Sequence, residues 1–227
     1  NTKLELTEYL TELSQTEVRE FLRPNVWPNT PDILPLYLQY NGRAGFMTRL
    51  VLAAMLGASY GIYGAAYELC DNEPRATGAE EYLNSEKYEL KNWNLSAPEN
   101  LTEFISLVNR IRHENPALHR NEGLAFHKVD NEQLIAFSKS TESGDNIILV
   151  VVNLDAHHTQ HGWVELPLEK LGIPAAGGFQ VHDLLSGARY LWQGSHNYVE
   201  LNPKFSTAHI FRLRQRVKTE RDFDYFL

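Results

Sequence analysis

The 227-residue sequence predicts two fold classes in succession, an α/β region followed by an all-β region. Residues 1–119 alternate helix-like and strand-like segments, as parallel α/β folds do. Residues 120–227 contain short runs of β-type residues separated by turn residues, which is typical of an antiparallel β-sandwich. We place the boundary between Leu118 and Gly123, where the helical spacing of apolar residues ends.

Three helices are predicted in the first region from apolar residues at helical spacing. The first covers Leu4–Leu13, the second Arg43–Leu56 and the third Leu101–Ile111. The third is expected to end at Asn115, because the residue before a proline is pushed out of the helical conformation.

Two strands are predicted between these helices, Phe21–Trp27 and Tyr60–Gly64. The first runs into a polar turn, Asn29–Asp32, in which a proline fixes φ and Asp32 presents a carboxylate. A long polar loop, Glu68–Asn100, follows the second strand. The order of helix, strand, helix, strand and helix indicates βα units of a parallel sheet.

The second region contains six short runs of β-type residues, each bounded by turn residues such as Ser-Gly-Asp, Ser-Gly and Asn-Pro. The runs are Leu134–Phe137, Asn146–Leu154, Gly162–Leu166, Gln180–Leu184, Tyr198–Leu201 and Ala208–Leu213.

Composition limits the classes of partner and the compartment. With 43% hydrophobic residues and a formal net charge of −8, the chain can form a core and does not suit the phosphate backbone of a nucleic acid. Its apolar runs are too short to span a membrane. Cys70 is the one cysteine, which excludes an internal disulfide and favours a reducing, cytoplasmic setting.

Asp32 is the strongest candidate for chemistry. A carboxylate just past the C-terminal end of a strand lies where active sites are found in (β/α)8 barrels. The alternative is a structural residue that caps the following helix. Asn29 either orients Asp32 or makes the turn, and its position in an Asn-Thr-Pro-Asp sequence favours the turn.

A histidine cluster, His157, His158 and His161, raises the question of a metal. The i, i+4 spacing binds zinc when it lies on a helix, and here a turn between two strands is expected. We therefore predict a polar turn and no metal site.

Three stretches resemble the α-amylase superfamily. The turn Asn29–Asp32 matches the position of its Asn-His-Asp motif after the seventh barrel strand, and Tyr60–Gly64 resembles the eighth strand. Val108–Leu118 resembles the end of the eighth helix. The resemblance implies the last βα units of a (β/α)8 barrel followed by a β-sandwich domain.

The departures from that pattern narrow the resemblance. Thr30–Pro31 replaces the single histidine, and the eighth-strand segment continues as Tyr63–Glu68. Together with Arg23–Asn25, Ser85–Glu89 and the ending Asp222–Leu227, these forms resemble the bacterial α-1,4-glucan:maltose-1-phosphate maltosyltransferases over essentially the whole chain.

The resemblance implies a retaining transfer of maltosyl from α-maltose 1-phosphate to the non-reducing end of an α-1,4-glucan. Such a mechanism needs a carboxylate nucleophile and a carboxyl acid/base, and family logic puts both upstream of Asn1. The resemblance also implies that Asp32 stabilises the transition state and that Lys87 and Tyr88 contact the maltosyl group of the donor. The resemblance implies a homodimer, and it implies no metal or organic cofactor.

Two alternatives remain open. One is a related α-amylase-like hydrolase or trehalose-forming transglycosidase, against which Thr30–Pro31 in place of histidine argues. The other is a non-catalytic fragment whose β-sandwich acts at most as a glucan-binding module. Because the nucleophile and acid/base are expected upstream, we expect the 227 residues alone to be inactive.

Overall fold

The structure is a computed structural model that describes residues 2–174 and 177–214. The ending Asp222–Leu227, which contributed to the resemblance, lies outside the described residues. The helices are α1 (Lys3–Gln15), α2 (Leu36–Leu56), α3 (Gly64–Glu68) and α4 (Thr102–Glu114), with 3-10 turns at Glu17–Glu20 and Pro116–His119. The strands are β1 (Asn25–Val26), β2 (Ser59–Tyr60), β3 (Ala125–Val129), β4 (Leu134–Ser140), β5 (Ile147–Asn153), β6 (Gln160–Glu165), β7 (Gly178–Asp183), β8 (Arg189–Gln193), β9 (His196–Leu201) and β10 (Ala208–Arg214).

The three predicted helices are confirmed, with one extension. Thr2 and Glu5 form a capping box that starts α1. Helix α2 begins at Leu36, before the predicted start at Arg43, and bends at Gly42, whose φ of 49° is open to glycine without strain. The residues that predicted this helix are all fully buried: Phe46, Leu50, Val51, Ala54 and Met55.

The two predicted strands are wrong in length. β1 is limited to Asn25–Val26 and pairs in parallel with β2, Ser59–Tyr60. A strand extends only where a neighbour supplies hydrogen bonds, and Pro24 offers no N–H to a ladder. Phe21 is 76% exposed, directly after the 3-10 turn. One short parallel pair is consistent with βα units, and the eight-stranded barrel stays a prediction.

The second region is an antiparallel sheet of eight strands in the order β8-β7-β10-β5-β4-β3-β6-β9. It curls until its edge strands β8 and β9 come into contact, so that it encloses a core as a sandwich or barrel does. All six predicted runs are strands. β3 and β8 were missed because neither shows a clear alternation of apolar and polar residues.

The sheet separates two hydrophobic cores. One lies inside the curled sheet, and the other lies between the sheet and helices α2 and α4. Strand β5 is buried along its whole length because it contributes to both cores, which explains its unbroken apolar sequence. The core between the sheet and the helices contains residues from both sides of residue 119. The division into domains 1–119 and 120–227 therefore stays a prediction.

Two basic side chains cap the C-terminal end of α2. Arg112, on α4, donates hydrogen bonds to the carbonyls of Gly57 (3.0 Å) and Ala58 (2.8 Å). Lys139, on β4 and fully buried, donates to the carbonyl of Leu56 at 3.3 Å. These bonds satisfy carbonyls that a helix end leaves unpaired and fix the direction in which the chain enters β2.

In the part of the chain that the structure describes, no helix is both long enough and apolar enough to cross a membrane.

Candidate active site

The turn that carries Asp32 is closed by backbone hydrogen bonds. The N–H of Thr30 donates to the carbonyl of Ile33 at 3.1 Å, and the N–H of Ile33 donates back at 3.2 Å. The Thr30 hydroxyl accepts from the N–H of Asp32 at 3.3 Å. The Asp32 side chain is 62% exposed. The turn therefore presents this carboxylate to solvent just beyond the β1–β2 pair.

Asn29 does more than make this turn. It is 1% exposed, and its amide nitrogen donates to the Tyr82 hydroxyl at 2.7 Å. Its amide oxygen accepts from the backbone N–H of Tyr63 at 2.8 Å. One buried side chain thus ties the Asp32 turn to the segment after β2 and to the long loop.

The long loop is anchored next to the turn by Glu86. This carboxylate accepts hydrogen bonds from the Tyr63 hydroxyl and from the Trp93 indole N–H, the latter at 2.9 Å. The hydrogen bond from Tyr63, followed by that from Trp93, lowers the pKa of Glu86. Burial, and then the Glu86 hydrogen bond, raises the pKa of Tyr63. Glu86 stays ionised and holds the residues that follow it in place.

The three predicted site residues come together. The Lys87 ammonium lies 3.0 Å from the Asp32 carboxylate and 5.4 Å from the centre of the Tyr88 ring. Hydrogen bonds to Asp32 and then to Tyr88 raise the pKa of Lys87. Both partners of the ion pair are about half exposed, so solvent screens it and it adds little to stability. Its value is in orienting two polar groups toward one patch of solvent.

For Asn29, sequence reasoning favoured the turn over a role in orienting Asp32. It missed four other residues that support this patch, which lie in the predicted strand Tyr60–Gly64 or in the polar loop after it: Tyr63, Tyr82, Glu86 and Trp93. The available signal was the aromatic content of the loop, because Tyr82 and Trp93 are unusual in a solvated segment and need partners for their polar atoms when buried.

Two of the three histidines, His157 and His158, lie in the predicted turn, whereas His161 is part of strand β6. Asp155 accepts hydrogen bonds from the backbone N–H groups of His157 (2.9 Å) and His158 (3.2 Å), and its second oxygen lies 2.9 Å from the His158 ring. Among residues 2–174 and 177–214, no group of three histidine, cysteine or acidic side chains is arranged to hold a metal ion. Burial raises the pKa of Cys70 to about 11, which leaves its thiol unreactive at neutral pH.

The geometry limits what these residues can do. A carboxylate, an ammonium and an exposed aromatic ring suit the binding of sugar hydroxyls and of positive charge that develops on a sugar. A two-step retaining reaction needs two further carboxyl groups in defined positions. Asp32 is therefore suited to part of an active site.

Comparison with solved structures gives the class of fold. The chain matches an α-amylase from Geobacillus thermoleovorans, complexed with acarbose, with a TM-score of 0.64 at 14% identity, over 94% of this chain and 43% of that one. An α-amylase from Anoxybacillus matches with a TM-score of 0.53 at 15% identity, over 78% and 33% of the two chains. The fold is that of the corresponding part of an α-amylase-like protein.

Sequence comparison gives the family. Residues 126–213 match the family model described as "GLGE, C-terminal". The α-1,4-glucan:maltose-1-phosphate maltosyltransferase of Chlorobaculum tepidum is 54% identical over 94% of this chain and 32% of its own length. The second such protein of Streptomyces coelicolor is 49% identical over 95% and 32%, and that of Myxococcus xanthus 40% identical over 100% and 34%.

Over nearly its whole length, the chain is homologous to a C-terminal portion of the α-1,4-glucan:maltose-1-phosphate maltosyltransferases. It spans about a third of the length of the curated relatives that it matches.

Proposed function

We propose that this chain supplies the third carboxylate and part of the donor site of a retaining maltosyltransferase. The enzyme transfers maltosyl from α-maltose 1-phosphate to the non-reducing end of an α-1,4-glucan. The observation that carries the proposal is the 3.0 Å contact between Lys87 and Asp32, which joins two residues that matched the family's motifs independently. The family relationship supports the choice of substrates.

In this proposal Asp32 accepts hydrogen bonds from sugar hydroxyls and stabilises the oxocarbenium-like charge of the transition state. Lys87 keeps Asp32 oriented and donates to hydroxyls of the maltosyl group, while Tyr88 offers it an apolar face. The nucleophile and the acid/base belong to the remainder of the longer protein. The 227 residues alone then catalyse no transfer.

The proposal also covers the domain organisation, the assembly and the cofactors of the longer protein. Domains 1–119 and 120–227 correspond to the end of a catalytic barrel and a β-sandwich, and the longer protein is a cytoplasmic homodimer. The chemistry is done by carboxylates without a metal or organic cofactor.

The test is Asp32→Ala in the full-length protein, with phosphate release from α-maltose 1-phosphate and a short maltooligosaccharide acceptor as the readout. We expect a loss of about 10²-fold or more in kcat/KM, because one preorganised charge at the reacting centre is removed. Asp145→Ala removes another exposed carboxylate, in a turn of the sheet, and should leave the rate unchanged.

Near-normal release by Asp32→Ala would mean that Asp32 is only a turn residue. Absence of release from the unmutated protein would overturn the maltose 1-phosphate assignment itself.

A further inference from the structure

The outer surface of β6 and β9 carries a ladder of exposed side chains that the candidate active site does not use. The two strands pair antiparallel, with Trp163 opposite Tyr198 and His161 opposite Glu200. Trp163 is 51% exposed and Tyr198 is 47% exposed, while their neighbours Val164 and Val199 point into the core. The register of the sheet therefore places two large aromatic rings side by side in solvent.

The rings form an angled pair. The ring centres of Trp163 and Tyr198 are 5.7 Å apart, with 66° between the ring planes, and His161 lies 5.8 Å from Tyr198 on the other side. Asp130 accepts a hydrogen bond from the Trp163 backbone N–H at 2.7 Å, which fixes the strand beneath the indole. The surface is preorganised, because β6 is paired with β3 on one side and with β9 on the other, and the edge strand β9 is paired with β6 along its whole length.

Polar groups surround the rings. Glu165 and His196 face each other across the strands next to Trp163, and both are exposed. Glu200 accepts a hydrogen bond from the Tyr198 hydroxyl at 3.2 Å. The indole N–H of Trp163 donates to no group in the described part of the chain. A cavity of about 620 Å³ opens beside Trp163, with Lys128 and Phe126 in its wall.

This chemistry fits an uncharged polyhydroxylated ligand. The C–H faces of a pyranose ring pack on aromatic faces, and the surrounding carboxylate, imidazole and N–H groups can bind its hydroxyls. An anionic ligand would meet Glu165, Glu200 and a chain of net charge −8. A protein partner is disfavoured as well, because the centres of protein interfaces are depleted in charged residues.

The angle between the rings distinguishes types of glucan. A β-1,4-glucan is a flat ribbon that suits coplanar rings, whereas α-1,4-linkages make the chain curve, so that successive glucose units meet surfaces of different tilt. The 66° between Trp163 and Tyr198 matches a curved chain. We infer that the β6–β9 surface is a second binding site for α-1,4-glucan, which holds the polymer away from the reacting centre. The choice of polymer rests on the proposed function.

The test uses the full-length protein and β-cyclodextrin, a cyclic α-1,4-glucan without a non-reducing end that cannot act as an acceptor. Calorimetry should give a dissociation constant at least about tenfold weaker for Trp163→Ala/Tyr198→Ala than for the unmutated protein, since both stacking surfaces are lost. Phosphate release with a short acceptor should not change. Phe205→Ala, which removes an 85% exposed aromatic ring from the turn before β10, is the matched control.

Trp163→Phe keeps an aromatic face and should retain most of the binding, which separates loss of the ring from loss of folding. Equal affinity of the double variant and the unmutated protein would overturn the proposal. So would equal binding of cellohexaose, or a change of oligomeric state in place of a change in glucan affinity. If the unmutated protein binds cyclodextrin through these rings but releases no phosphate from maltose 1-phosphate, the proposed function fails and the second site stands.

Discussion

The two regions hold their candidate sites by different means. Around Asp32 the strands are two residues long, and hydrogen bonds of single side chains, the buried Asn29 and the exposed Glu86, hold the chain in place. On the β6–β9 surface the backbone ladder itself sets the positions of Trp163 and Tyr198. The first arrangement depends on single side chains, so one substitution can displace a whole site. The second is distributed over many backbone bonds.

The sharpest way to test this difference is Asn29→Ala in the full-length protein. The change leaves the Tyr82 hydroxyl and the Tyr63 N–H without their buried partner, which should cost about 3 kcal/mol of stability. Because the Asp32 turn and the Lys87 loop are no longer joined, we also expect kcat to fall by about tenfold or more. Thermal unfolding and phosphate release measure the two effects.

Asn94→Ala is the control, since Asn94 lies exposed in the same loop and its side chain accepts from the Ser96 N–H. It should affect neither quantity. A stable but inactive Asn29→Ala protein would point to positioning, and a fully active one would contradict the role of Asn29 as a clamp.

The contact between the regions can be tested through Lys139. Burial, with a smaller contribution from Arg112, lowers the pKa of Lys139 to about 7. The unfolded chain, with an ordinary lysine pKa near 10.4, then binds more protons than the folded one between about pH 7 and pH 10. The free energy of unfolding therefore rises with pH across this window. Lys139→Met should remove that rise and raise the melting temperature most near pH 7.

Melting temperatures of both proteins at pH 6.5, 8 and 9.5 make the comparison, with Lys170→Met as an exposed lysine control. The difference in melting temperature between Lys139→Met and the unmutated protein should become smaller as the pH rises. An advantage that grows with pH would contradict the assignment of Lys139 as a buried group that the folded state prefers neutral.

The smallest effect is expected at Lys87. Its pair with Asp32 is exposed, so Lys87→Gln should leave the melting temperature unchanged. Loss of a donor to the maltosyl group should raise the KM for maltose 1-phosphate by about tenfold, with kcat changed much less. Arg75→Gln breaks another exposed ion pair of the same loop, with Glu81 at 2.9 Å, and should leave KM unchanged. An equal rise of KM in both variants would mean that the effect comes from disordering the loop and not from the loss of a donor to the maltosyl group.

The sequence was a good guide where structure depends on periodic burial. The apolar spacing of Arg43–Leu56 and the continuous run in β5 reflect faces that are buried in the structure. It was a poor guide to β1, because the length of a strand depends on a partner that is distant in the sequence. The turn at Asp32 follows from local turn chemistry. Asn29 and Glu86 could not be recognised as anchors, because Tyr63 and Tyr82 reach them only in the folded chain.

Strand β5 has one consequence for how the molecule behaves as a whole. Since its two faces are the common wall of both cores, neither core can lose its packing while the other stays intact. The two regions should melt in a single cooperative step even though their fold classes differ. Cutting the chain near residue 120 would then yield no independent module, and would leave the apolar faces of α2 and α4 open to self-association.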